Sequence, residues 1–297
     1  MLSFRNITET GIKCFLCYLS EMIRIVLLFS LLQSSVALAQ MNSAYIIGET
    51  TGPLPFLNYG LGEDRLGGAK MTYLDSNIMV KVVDSVKDDY KIELSKNHFA
   101  YLPKVNFKRD SGQSMRPYYL TESWKVYGDD KYDYVAISLD ERLPYRSIQE
   151  IDPARIVVDI FGVTSNTNWI TQLSTVKEIK NTWYEQIEDD VFRVHIELKH
   201  NQHWGYSIYY DKKKLVIRVK RQPQQLVLSK LRIAVDAGHG GDNIGASGET
   251  SKVLEKNYTL KIAKELEKAL KKEKAKVFMT REKDTALSMI ERTQMLR

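Results

Sequence analysis

Between Lys70 and Lys220 apolar residues return at every second position, in one short run after another, and that period admits β-strands and little else. Ile78, Val80 and Val82 alternate with Met79, Lys81 and Val83, and Tyr90, Ile92 and Leu94 alternate with Lys91, Glu93 and Ser95. A third run, Phe99 to Leu102, is stopped by Pro103. Strands this short and closely spaced predict a small barrel. Farther on, Val135, Ile137 and Leu139 alternate with Ala136 and Ser138, while Ile156, Val158 and Ile160 face away from Val157, Asp159 and Phe161. Phe192, Val194, Ile196 and Leu198 oppose Arg193, His195, Glu197 and Lys199, and Leu215, Ile217 and Val219 oppose Arg218 and Lys220. This is the pattern of half-buried strands in a β-sandwich. Residues 48–68, rich in glycine and proline, read as a lead-in loop, and residues 109–117, with Ser111, Gly112 and Pro117, read as a linker.

Gln222-Pro223-Gln224-Gln225 is a polar break, and the character of the chain changes after it. No proline follows, lysines multiply, and most of the net charge of +6 lies beyond residue 229. Leu231 to Asp236 is an apolar run that predicts a buried strand, leading into Ala237-Gly238-His239-Gly240-Gly241-Asp242. A histidine flanked by glycines at a strand end sits in a tight turn, where glycine permits unusual dihedrals and close approach of a ligand. A second glycine-rich stretch, Asn243 to Glu249, precedes a helix opened by Glu255, with Ser251 as its cap. The spacing gives that helix an apolar face of Tyr258, Ile262, Leu266, Ala269 and Leu270. Lys271, Lys272 and Lys274 suit its C-terminal dipole as a solvated end. Lys276 to Arg281 reads as a strand, and Leu287 to Arg297 as the start of a helix burying Leu287, Ile290 and Leu296. The order β–α–β–α predicts an α/β domain with a right-handed crossover.

A chain of 297 residues accommodates two or three domains. Its N-terminus has the parts of an export signal: Met22-Ile23-Arg24, an apolar run from Ile25 to Leu32, and Ala37-Leu38-Ala39 before Gln40. Residues 1–39 are therefore taken as a signal region, with Met22 the better start and cleavage after Ala39. The apolar run is short for a span of about 20 residues, so no transmembrane anchor is expected after cleavage. The two cysteines, Cys14 and Cys17, fall in the removed segment. The body thus has neither a disulfide framework nor a thiolate zinc finger, and its lack of cysteine suits an oxidising compartment. A charge of +6 without base- or phosphate-reading motifs excludes nucleic acid as the expected partner and fits anionic wall polymers better.

Two histidine groups invite a metal reading. His195 lies on the charged face of a strand, and His200 and His203 share a turn with no carboxylate cluster beside them, so these three are read as structural. His239 and Glu255 differ: a strand-end imidazole and a carboxylate in the first turn of the next helix can converge on one ion. Spacing alone leaves a structural reading of this pair open. Asp236 and Asp242 flank it, and Asp236 is a candidate to orient the loop or the imidazole.

Three resemblances sharpen these readings. The string from Gly67 to Lys108 resembles bacterial SH3-like domains. Leu143-Pro144-Tyr145-Arg146, Asp152 to Ile160 and Phe192 to Leu198 resemble the AMIN domain, which localises cell-wall enzymes to peptidoglycan or the division site. Ile233 to Gly241, Glu255-Lys256-Asn257, Thr280-Arg281 and Arg292 closely resemble the zinc-dependent N-acetylmuramoyl-L-alanine amidases. The expected fold is therefore multidomain, with two small all-β domains followed by the N-terminal part of an α/β zinc amidase domain. An SH3-like barrel would occupy residues 45–110, an AMIN-like β-sandwich 118–222 and the partial catalytic domain 229–297.

The amidase resemblance implies that His239 and Glu255 are ligands of Zn2+ and that zinc-activated water cleaves the amide between N-acetylmuramic acid and the L-alanine of the stem peptide. It also implies a third ligand, a second histidine, and a general-base glutamate, both expected beyond Arg297, because no histidine follows His239. The 297-residue chain is accordingly expected to be a fragment that binds zinc weakly and does not hydrolyse peptidoglycan alone. Peptidoglycan and an envelope or divisome activator are the expected partners, and export to the periplasm or cell envelope the expected location. The competing expectation is a non-catalytic envelope protein that binds peptidoglycan through its β domains.

Overall fold

The structure, a computed structural model, describes residues 45–62, 68–110, 112 and 114–296. The expected signal region, its expected cleavage point at Ala39 and both cysteines lie outside the described residues.

Seven strands form the first unit: β1 (Ile46–Thr50), β2 (Phe56–Asn58), β3 (Lys70–Tyr73), β4 (Met79–Val86), β5 (Asp89–Ser95), β6 (His98–Pro103) and β7 (Phe107–Arg109). They make one antiparallel sheet in the order β3-β2-β6-β5-β4-β1-β7. The predicted lead-in loop at 48–68 is corrected here, because β1 and β2 lie within or across it. Glycine content hid them. Gly48 sits on β1 because any Cβ there would run into the Phe107 ring and the Lys108 carbonyl of the neighbouring β7. Leu54 and Leu57, from the same stretch, are fully buried.

The second unit has β8 (Tyr119–Gly128), β9 (Tyr132–Leu139), β10 (Tyr145–Glu150), β11 (Arg155–Phe161), β12 (Val163–Thr164), β13 (Ile170–Gln172), β14 (Ile179–Glu188), β15 (Val191–Leu198), β16 (Tyr206–Asp211) and β17 (Lys214–Lys220). One sheet runs β10-β11-β15-β14 and the other β12-β8-β9-β17-β16, with β13 also on β8. Trp124 meets Phe192 edge-on at 6.4 Å, and Ile137, Ile156, Val158, Val194, Ile196 and Ile217 fill the shared core. That core continues into the first unit, where Tyr119 donates its hydroxyl to the Met79 sulfur. The Tyr210 amide reaches Asp75 at 2.9 Å and the Lys96 amide reaches Asp190 at 2.7 Å.

The expected alternation fails on β11, where Val157, Asp159 and Phe161 are as buried as Ile156, Val158 and Ile160. Phe161 lies against the His98 ring of the first unit, and Asp159 is buried inside an ionic clasp. Arg193 binds both Asp159 oxygens, at 2.6 and 2.9 Å, and Arg146 approaches Oδ2 at 2.8 Å. Burial pushes the Asp159 carboxyl up, but the hydrogen bonds and charges of the two arginines outweigh it and hold the group below its ordinary range. A depressed native value means this stabilisation is complete above the unfolded value, about pH 3.9, and is lost as pH falls through the native one. Acid titration of the folded chain is therefore expected to show stability declining below about pH 4. In an Asp159→Asn variant, that part of the decline is expected to disappear.

The third unit is small. β18 (Arg232–Val235) and β19 (Lys276–Met279) pair in parallel, joined through helix α1 (Glu255–Lys272), and α2 (Met289–Leu296) follows. The α1 face that packs on the strands is Leu260, Ala263 and Leu270, around Val235 and Met279. This corrects the sequence expectation: Tyr258, Ile262 and Leu266, four residues apart, form an exposed stripe beside that face. Leu296 is likewise exposed, and the buried residue of α2 is Arg292. Ser251 does not cap α1. The loop before the helix does so instead, with the Ala246 carbonyl accepting from the Glu255 amide and the Ile244 carbonyl from the Lys256 amide. Among the described residues no helix is long and apolar enough to cross a membrane.

Candidate metal centre

The parallel pair β18–β19 ends in two loops at one edge, and His239 stands in the first. Its own backbone is left-handed, at φ 62°, followed by Gly240 at 129° and Gly241 at 56°. A turn this unusual needs its carbonyls held, and buried arginines hold them. Arg281 donates to the carbonyls of Ala237 (2.8 Å), Gly238 (3.0 Å) and Lys256 (2.8 Å). Arg292 donates to Ala237 (3.0 Å) and to the His239 carbonyl (2.8 Å), and also binds Asp236. Thr259 takes the Gly238 carbonyl and Lys256 takes that of Gly241. Each bond to a charged donor contributes about 1.5–3 kcal/mol, and together they offset the strain of the left-handed turn.

The loop so fixed brings His239 Nε2 to 3.2 Å from Glu255 Oε1. Both side chains are partly exposed, 31% and 41%, so a small ligand can reach the pair. The inner atoms of both are engaged: His239 Nδ1 lies 2.9 Å from Asn243 Oδ1, and Glu255 Oε2 accepts the Ala246 amide at 2.7 Å. The Ala246 amide, and behind it His239, hold the Glu255 carboxyl below its ordinary range. It is an anion at neutral pH.

Gly245, at φ 69°, lies against both donors. A Cβ there would come within 2.6 Å of Glu255 Oε2 and 2.9 Å of His239 Cδ2. Gly245→Ala is expected to cost about 1–2 kcal/mol from the backbone alone, and more from pushing the carboxylate off the Ala246 amide. Hydrogen exchange at Ala246 should then speed up at least tenfold. An unchanged rate would show that the loop has room to spare.

The two flanking aspartates fall elsewhere. Asp236 accepts from Thr280 at 2.6 Å and from Arg292, so it ties the loop and does not reach the imidazole. Asp242 is exposed. His195, His200 and His203 are not brought together. His195 stacks on Trp183 at 4.8 Å, His200 pairs with Glu178 at 2.9 Å, and His203 donates to the Glu150 carbonyl at 2.8 Å. Among the described residues no cluster of three or more His, Cys, Asp and Glu side chains is placed to hold a metal. Sequence reasoning gave Asn243 no role. Its only signal was position, a short polar side chain four residues after a histidine in a glycine-rich turn.

Comparison with known families finds two separate matches along the chain. Residues 124–219 match the AMIN domain, and residues 233–297 match the N-acetylmuramoyl-L-alanine amidase family. The chain is thus similar to an AMIN domain in one stretch and, after it, to that amidase family in another. Similar curated proteins are the probable cell wall amidases LytH of three staphylococci. The Staphylococcus epidermidis protein is 59% identical over 61 residues, 20% of this chain and 21% of the relative. That of Staphylococcus aureus is 57% identical over 58 residues, covering 19% and 20%. That of Staphylococcus saprophyticus is 47% identical over 79 residues, covering 26% and 27%. The matched stretch thus spans about a fifth to a quarter of these relatives.

Proposed function

We propose that residues 233–297 supply the metal-binding start of a zinc-dependent N-acetylmuramoyl-L-alanine amidase, and that the β units ahead of them hold it to peptidoglycan. The observation that carries this reading is the pair His239 Nε2 and Glu255 Oε1, 3.2 Å apart, with the other polar atom of each side chain already engaged. The imidazole nitrogen and the carboxylate oxygen that face each other across this contact are donors that suit zinc. A zinc ion held there would supply a Lewis acid, able to lower the pKa of water and to polarise an amide carbonyl. The chain's own part is to hold: His239 and Glu255 bind, while Arg281 and Arg292 keep the turn in its strained shape. The amide cut is the one joining N-acetylmuramic acid to the L-alanine of the stem peptide. No described residue is assigned as the general base.

In this reading the seven-stranded sheet is the SH3-like unit (45–110), β8 to β17 the AMIN sandwich (118–222), and 229–297 the opening of an α/β catalytic domain. The protein works outside the cytoplasm, in the cell envelope. The second reading, a wall-binding protein without hydrolysis, draws on the finding that no third donor joins the pair among the described residues.

Zinc binding and dye release from labelled sacculi, measured on the same chain, separate the two readings. With two donors, the 297-residue chain is expected to bind one zinc weakly, to bind sacculi, and to release no dye. Sacculus binding without any zinc binding would favour the wall-binding reading. Chelator-sensitive dye release would contradict the need for donors beyond the described pair.

A further inference from the structure

We infer that Asn243 is a positioning residue for His239, and that through the turn it begins, residues 243–246 aim both metal donors at one point. The inference rests on the metal-centre reading given above. An imidazole has two distinct nitrogens and when neutral carries one proton. To give Nε2 to a metal, the ring must keep its proton on Nδ1, and that tautomer is set by whatever accepts from Nδ1. The acceptor here is Asn243 Oδ1, at 2.9 Å. The Asp236 carboxylate instead accepts from Thr280 and Arg292.

The same turn also holds the second donor. The Asn243 amide and carbonyl form a reciprocal bridge with Gly240, at 3.1 and 2.8 Å, which locks the turn onto the histidine loop. Three residues on, the Ala246 amide takes Glu255 Oε2 at 2.7 Å, and the Ala246 carbonyl takes the Glu255 backbone amide at 2.9 Å. One short segment thus binds the inner atom of each donor side chain and leaves Nε2 and Oε1 facing each other. An amide oxygen is a neutral acceptor. It fixes the tautomer without adding the negative charge that a carboxylate would place behind the imidazole, so the asparagine makes the site less basic than it could be.

Zinc titration of the full chain against a competing chelator tests this, with Asp242→Ala as the control for disturbing the loop. Asn243→Ala is expected to weaken zinc binding about 10–100-fold, the usual effect of removing such a partner. Asn243→Asp should restore at least wild-type affinity, a rescue that a merely structural role would not produce. In the Co2+-loaded chain, the exchangeable Nδ1 proton of His239 should give a resolved paramagnetically shifted signal. That signal should broaden by solvent exchange in Asn243→Ala and return in Asn243→Asp. Equal zinc affinity of wild type and Asn243→Ala would overturn the inference, as would an Asn243→Asp variant no better than the alanine. Failure of the wild-type chain to bind zinc at all would instead overturn the metal-centre reading, so the two failures are distinct.

Discussion

Arg292→Ala is expected to unfold the third unit locally while leaving the β units intact. The guanidinium is 7% exposed and serves Asp236, the Ala237 carbonyl and the His239 carbonyl. Alanine would leave these acceptors without their donor, at about 1–3 kcal/mol for each that stays dry. The Ala237 carbonyl keeps Arg281, and Asp236 is partly exposed and keeps Thr280, so the loss falls hardest on the His239 carbonyl. A total of about 3 kcal/mol is expected. The unit can ill absorb it, because its core among the described residues is Val235, Ala237, Ala263 and Met279 with a few partly buried neighbours. Hydrogen exchange resolves the outcome: protection should fall about a hundredfold in β18 and β19 and stay unchanged in β11 and β15. Equal protection in wild type and variant would mean the loop does not depend on this arginine.

Asp159→Ala should have the opposite geography, destabilising the β body. Asp159 is fully buried, while Arg146 and Arg193 keep 20% and 27% side-chain exposure. Breaking a buried ion pair by removing one partner commonly costs about 3–5 kcal/mol, because the other charge is stranded. Here the stranded arginines can turn partly to water, so the lower end of that range is expected. Arg146→Ala should cost less, since Arg193 still binds both carboxylate oxygens. Denaturant midpoints with the slope unchanged would measure both. A loss below about 1 kcal/mol for Asp159→Ala would show that the clasp contributes little.

The period-two runs made most of the β architecture legible, because half-buried strands betray themselves by alternation. Three places resisted for identifiable reasons. Strands β1 and β2 were masked by glycine and proline, which mark loops on average, although Gly48 here allows close strand contact. Strand β11 lost its alternation because Asp159 is neutralised by arginines on adjacent strands, a long-range pairing that no local pattern displays. On helix α1 the spacing picked out the stripe of Tyr258, Ile262 and Leu266, which is exposed, because the strands pack on the neighbouring face where Ala263, a small residue, allows the closer approach. At the site, His239 and Glu255 were visible from the string around them, and the structure brings them together. The grip of Arg281 and Arg292 was not readable, since a buried arginine looks like a surface charge until its carbonyl acceptors are seen.

The central claim is that His239 and Glu255 face one metal ion. Zinc-edge X-ray absorption of the full chain, loaded with less than one equivalent of zinc, tests it most directly. Nitrogen and oxygen neighbours are expected at about 2.0–2.2 Å, with the multiple scattering of one imidazole that vanishes in His239→Ala. A spectrum with no imidazole, with two or more, or one indifferent to His239→Ala would contradict the claim.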